Sequence, residues 1–203
     1  SHNGFDSSLL EEEIKQREAR KGLGLSIEDK IVMYIGSLGD WKGVDTLCEA
    51  AMEFQEGVKA VVIGGNEDEL NSWKDKYPHV IFLGSKPYEE IGRHQRAADI
   101  LIVPNNPISK ESTDYTSPIK LFAHMASDVP LLVSDLPSLR TIVNEEEVFF
   151  FEAGSHESLR AQVTYVLSAG EEAKKRSIAS RESSKQYTWS RRAQQIIACS
   201  IKK

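Results

Sequence analysis

Apolar residues along this chain fall into short, largely continuous runs, separated by longer stretches in which they recur every three or four positions. The runs cover 31–35, 58–63, 80–83, 100–103, 131–133 and 148–151. Short apolar runs bounded by Gly, Pro or Asp read as strands buried on both faces. The stretches at 43–54, 67–76, 88–98, 155–169 and 171–185 read as amphipathic or polar helices, as does the one starting at Ser117. A further helix spans about 8–22, opened by a capping-box pattern of Ser8 and Glu11, and a last one spans 189–203. A short helix led by Pro137 follows the fifth run. Strand and helix alternate along the chain, which predicts an α/β fold: a doubly wound parallel sheet with helices on both faces. In such a sheet, ligands bind beyond the carboxyl ends of the strands, where strand order reverses.

Candidate chemistry collects at those strand ends. Ser117 suits a helix N-cap and Pro118 the first helical position, with Leu121, Phe122 and Met125 forming the apolar face behind them. A helix start of this kind accepts an anion, and Lys120 adds a full charge beside it. The turn after the first strand carries Gly36, Gly39 and Gly43, with Lys42 just before the next helix. Its glycines let a ligand approach the main chain, and Lys42 could pair with a phosphate. The spacing matches neither Gly-x-Gly-x-x-Gly nor a Walker A loop, so dinucleotide oxidoreductases and P-loop enzymes lose support. Gly64, Gly65 and Gly84 end strands at the same rim, and the polar loop 105–116 is long enough to be functional. No His, Cys or carboxylate cluster stands at metal-ligand spacing. Taken alone, His124 is a packed or surface histidine.

Composition narrows the partners. The 203 residues are 40% hydrophobic and carry a formal net charge of -6, which fits one large domain and gives no basic nucleic-acid footprint. No apolar run reaches the roughly 18 residues of a membrane span. Nothing reads as a signal peptide, and Cys48 and Cys199 stand in helical patterns as reduced thiols, so a cytoplasmic location is expected.

These segments in this order resemble the donor-binding, C-terminal domain of bacterial group 1 glycosyltransferases, retaining enzymes of the GT-B fold. The resemblance rests on 31–38 with 41–47, then 62–65, 80–84, 97–104, Ser117 to Phe122, and 130–140. Residues 3–6 look like the segment where the chain enters from an N-terminal domain. The resemblance implies a single Rossmann-like domain over 1–203 that binds a UDP- or GDP-linked sugar as substrate, with no cofactor and no metal. It implies diphosphate contacts from Gly36, Ser37, Lys42, Ser117, Pro118, Ile119 and Lys120. Base and ribose would meet Gly64, Gly84, Ser85, Lys86, Ala123 and His124, and the donor sugar Tyr115 and Thr116. No catalytic residue is assigned.

Three positions depart from the family. Ser37 stands where an arginine is frequent, and Tyr115 and Ala123 stand where two glutamates touch the donor sugar and the ribose. The acceptor is expected on an N-terminal GT-B domain of the same enzyme, which serves polysaccharide or glycolipid synthesis and can associate peripherally with a membrane. The fragment alone should be inactive. The alternative reading is a degenerate, non-catalytic module that binds nucleotide or a protein partner.

Overall fold

Each apolar run becomes a strand of one parallel sheet. The structure, a computed structural model, describes residues 5–6, 14–108, 119–191 and 193–194. The strands are β1 (Lys30–Ile35), β2 (Val58–Ile63), β3 (Ile81–Phe82), β4 (Ile100–Val103), β5 (Leu131–Ser134) and β6 (Phe149–Phe151). The helices between and around them are α1 (Gln16–Gly22), α2 (Val44–Ala51), α3 (Glu67–Lys76), α4 (Ile91–Gln95), α5 (Ile119–Met125), α6 (Pro137–Arg140), α7 (His156–Ser168) and α8 (Gly170–Ser184). Strand order is β3-β2-β1-β4-β5-β6. The chain builds outward from β1 to β3, then returns to lay β4 on the free side of β1, so order reverses between β1 and β4.

Alternation along each strand feeds two cores. Ile31 and Met33 of β1 join Leu101, Leu131, Leu121, Phe122 and Met125 on one face. Val32 and Tyr34 join Leu47, Ile102, Leu132, Leu159 and Val163 on the other. Full burial of a large apolar side chain contributes about 1.5–3 kcal/mol. That packing is what holds α5, whose seven residues are too few for a helix stable by itself. Cys48 lies in the second core as a free thiol, its pKa pushed up to about 12, first by burial. Cys199 lies outside the described residues.

Boundaries shift where tertiary contacts intervene. The helix predicted over 8–22 is described only as Gln16–Gly22; Ser8 and Glu11 lie outside the described residues. The helix predicted over 88–98 divides into a 3-10 turn, Tyr88–Glu90, and α4. Beyond Gln95 the chain tightens, with Ala97 N–H donating to His94 O and Ala98 N–H to Gln95 O, both at 3.1 Å, and the carbonyls of Ala97 and Ala98 accept from Arg20 Nε and Gln16 Nε2 of α1, both at 2.9 Å. α2 stops at Ala51 rather than Phe54, tightened by bonds such as Phe54 N–H to Ala51 O over 3.4 Å. β3 is shorter than predicted because it is an edge strand, paired only with β2. The last helix begins at Trp189, and most of 189–203 lies outside the described residues. Before it, Phe5 and Thr188 form a parallel bridge that ties the two ends of the chain together.

Candidate functional site

The carboxyl ends of β1, β2 and β3 are bound into one rim. Gly36 N–H donates to Ile63 O and Gly64 N–H to Gly84 O, both over 2.9 Å. Ser85 Oγ donates to Gly65 O, also at 2.9 Å. The rim leaves no room for side chains at two turns. At Gly64, φ is +137° and a Cβ would begin 1.8 Å from Gly36 O. At Gly43, φ is +67° and a Cβ would begin 1.7 Å from Pro104 O. The loop after β1 therefore lies directly on the segment after β4. Asn106 fastens the two: its N–H donates to Trp41 O at 3.0 Å, its Nδ2 to Asp45 at 3.2 Å, and its Oδ1 accepts from Thr46 at 3.0 Å.

Two hollows open at this rim and share Ile35, Gly36, Ile63 and Lys86. The first, of about 250 Å³, lies over the β1 end between α4 and α5, with Tyr88, Ile91, His94, Lys120 and Ala123 in its walls. The second, of about 350 Å³, lies between the turns after β1 and β2 and takes in Ser37, Gly64, Ser85, Asn66 and Glu69. Of the residues expected at the site, Gly36, Ser37, Gly64, Ser85, Lys86, Lys120 and Ala123 thus line one continuous region. Gly84 stands behind it as the acceptor for Gly64.

Lys120 is the central charge. It is half-buried on the first turn of α5. Its Nζ donates to the Tyr34 hydroxyl at 3.1 Å and stands 4.5 Å from the centroid of that ring. Burial lowers its pKa well below the ordinary lysine value, and the charge of Lys42 adds to the effect. No carboxylate of the described residues pairs with it, and no Asp or Glu lines the first hollow. Lys42 is close enough to repel it, but lies over the Trp41 ring at 3.4 Å from the centroid and lines neither hollow. Burial lowers its pKa as well.

His124, expected near the base or ribose, is turned away from both hollows. It is wholly buried, with Nδ1 2.8 Å from Gln95 Nε2, and lines neither hollow. One residue beyond Ala123 is about 100° further round the helix, which turns the ring into the core. Burial drives its pKa down to about 3, so it stays neutral. Tyr115, Thr116, Ser117 and Pro118 lie outside the described residues, and Ile119 opens α5.

Tyr88, Ile91 and His94 were not foreseen as walls of the cleft. Their spacing of three residues, following directly on Lys86, was the available signal. His94 is buried, with Nε2 3.3 Å from Glu90, and burial holds its pKa below the usual histidine value despite that neighbour. Asn66 and Glu69 form the capping box of α3, each side chain bonding the other's N–H at 2.9 Å. Among the described residues, no three or more His, Cys, Asp or Glu side chains could together hold a metal ion, and no helix is long and apolar enough to cross a membrane.

Comparison with known proteins identifies the fold and the family. The fold matches solved glycosyltransferase structures of the GT-B type. One is Anabaena Alr3699/HepE in complex with UDP and glucose: TM-score 0.80, 18% identity, 98% of this chain and 55% of that one. Another is the C-terminal domain of the group 1 family protein LpcC from Francisella tularensis: TM-score 0.71, 19% identity, 92% of this chain and 100% of that one. In sequence, a phosphatidyl-myo-inositol mannosyltransferase of Mycobacterium leprae is 28% identical over 175 residues, 83% of this chain and 45% of that protein. A Bacillus subtilis chain named for teichuronic acid biosynthesis, TuaC, is 26% identical over 173 residues, 80% of this chain and 42% of its own length. The chain thus spans less than half the length of these two relatives. The model of the glycosyl transferases group 1 family matches residues 15–183, and the chain belongs to that family.

Proposed function

We propose that the rim holds the diphosphate of a UDP- or GDP-linked sugar, whose hexosyl group passes to an acceptor with retention of configuration. The observation that carries this is Lys120, a half-buried ammonium at the cleft with no carboxylate partner among the described residues. A charge kept partly from water and unpaired is costly, and a bound anion removes that cost. The diphosphate would lie between Lys120 and the Gly36–Ser37 turn, with the charge of Lys42 behind it. As the glycosidic bond to the leaving phosphate breaks, charge develops on the departing oxygen. Positive groups already in place stabilise it without reorganisation. This arrangement offsets the charge with lysines and main-chain N–H groups, and the reading assigns no role to a metal.

The base would lie by Lys86 and Ser85, and the ribose by Ala123. The UDP and glucose of the HepE complex support the class of ligand, and the mannosyltransferase relative supports hexosyl transfer. The acceptor site is assigned to a part of the enzyme beyond these 203 residues, so this chain alone transfers no sugar, because transfer needs donor and acceptor held together. The setting proposed is polysaccharide or glycolipid synthesis at the cytoplasmic side.

Calorimetric titration tests the reading. UDP or GDP should bind with Kd of about 0.1–1 mM, and Lys120→Ala should weaken it roughly ten- to a hundredfold while leaving the matching nucleoside unchanged. Equal losses for nucleotide and nucleoside would remove Lys120 from the diphosphate site, and tight NAD binding would move the case to a dinucleotide enzyme.

A further inference from the structure

Tyr34 lies between two groups that the proposed donor site depends on. It is fully buried near the end of β1. Its hydroxyl donates to Ser37 O at 2.7 Å and accepts from Lys120 Nζ at 3.1 Å. A phenol has one proton, and here it is committed to the Ser37 carbonyl, so only oxygen lone pairs face the lysine. Burial pushes the Tyr34 pKa up, so the group stays neutral. An ammonium has three donors. One is used on Tyr34, and among the described residues no other side chain is bonded to the ammonium, which lines the first hollow. A carboxylate in the place of Tyr34 would orient the lysine equally well but cancel its charge. The phenol orients it and leaves the charge intact, while its ring face, 4.5 Å away, adds attraction.

The same hydroxyl sets the turn. A Cβ on Gly36 would stand 2.8 Å from the Tyr34 oxygen, so the phenol occupies the space that a side chain at Gly36 would need. One side chain therefore fixes both the course of the main chain at Gly36–Ser37 and the position of Lys120, which lies 86 residues away in sequence.

We infer that Tyr34 is a positioning residue for the donor diphosphate, acting through Lys120 and the Ser37 carbonyl rather than by touching the ligand. The inference rests on the donor-site reading above. Its test is a double-mutant cycle on the 203-residue chain with Tyr34→Phe, Lys120→Gln and the pair. UDP, inorganic pyrophosphate and uridine are titrated into each, and urea unfolding is followed in parallel. Tyr34→Phe keeps the ring and its packing and removes only the hydroxyl.

The expected result is a loss of about five- to tenfold for UDP and pyrophosphate in Tyr34→Phe, with uridine within about twofold. The double variant should bind UDP as Lys120→Gln does, because without the ammonium the hydroxyl has nothing to orient. Equal effects on UDP and uridine, or a change in unfolding alone, would make Tyr34 a packing residue and overturn the inference. So would losses that multiply in the double variant. UDP binding that survives Lys120→Gln unchanged would overturn it while leaving a nucleotide site elsewhere on the rim. Failure of the parent chain to bind UDP or pyrophosphate would overturn the inference and the donor reading together.

Discussion

Arg20 and Asp99 form a buried ion pair at 2.5 Å that joins α1 to the start of β4. The guanidinium also donates to the carbonyls of Ala97, Ile27 and Asp29, and Asp99 accepts the Ile31 N–H at 2.7 Å. The cluster thus locks the amino ends of β1 and β4, opposite the rim that carries the cleft. Without Arg20, Asp99 keeps the Ile31 N–H and the exposed Lys30, 3.5 Å away, while the carbonyls of Ala97, Ile27 and Asp29 lose their donor. Arg20→Ala should cost about 3–5 kcal/mol in urea unfolding while leaving the Kd for UDP of the remaining folded protein within about twofold.

Gly43 should tolerate no side chain. Its φ is +67°, and the Cβ of Gly43→Ala would meet Pro104 O at 1.7 Å. Strain and displacement together should destabilise the chain by about 3 kcal/mol or more. Because the loop that bears Gly36 and Ser37 must move, nucleotide affinity should fall as well. Denaturant midpoints and calorimetry on the same preparation measure both.

Nucleotide binding should weaken toward alkaline pH. Lys120 has its pKa lowered by burial first and by Lys42 second, so it loses its charge below the ordinary lysine value of 10.5. Above its lowered pKa the ammonium is neutral and the attraction to diphosphate is gone. UDP titrations from about pH 7 upward should show the decline. Lys120→Arg stays charged and should flatten it. A parallel decline in uridine binding would show that another group is responsible.

Stability should also fall on mild acidification. His124 has its folded pKa depressed to about 3, against 6.5 for the ordinary value. Below pH 6.5 the unfolded chain takes up a proton that the folded chain refuses, so stability rises with pH through this window. Between pH 7 and pH 5 the contribution is about 2 kcal/mol. His94, also depressed by burial, acts in the same direction. Urea unfolding of His124→Gln should show a smaller loss between these two pH values than the parent, by about that amount.

Much of the architecture was legible in the sequence because its signals are local. The runs at 58–63 and 100–103 became β2 and β4 without a change of boundary, since each carries four successive buried apolar residues, 60–63 and 100–103. The stretch 67–76 became α3 unchanged because Asn66 and Glu69 cap it reciprocally. The glycine-ended turns of the cleft followed from the same logic: Gly36, Gly64 and Gly84 stand where strands stop and main chains meet.

What the sequence determined alone was therefore the kind of each element, the parallel sheet and the glycine-ended turns at the carboxyl ends of its strands. Tertiary structure decided strand order, the division of the 88–98 helix, and the walls of the cleft. It turned His124 into the core beside Gln95, although both stand in helices that flank the site. It also placed Lys120 against Tyr34, and set His94 and Ala123 in the walls of one hollow. The reason is range. Propensity, capping and hydrophobic period act over a few residues along the chain. The neighbours of a side chain at the rim come from strands and helices tens of residues apart, and are set only when both cores have packed.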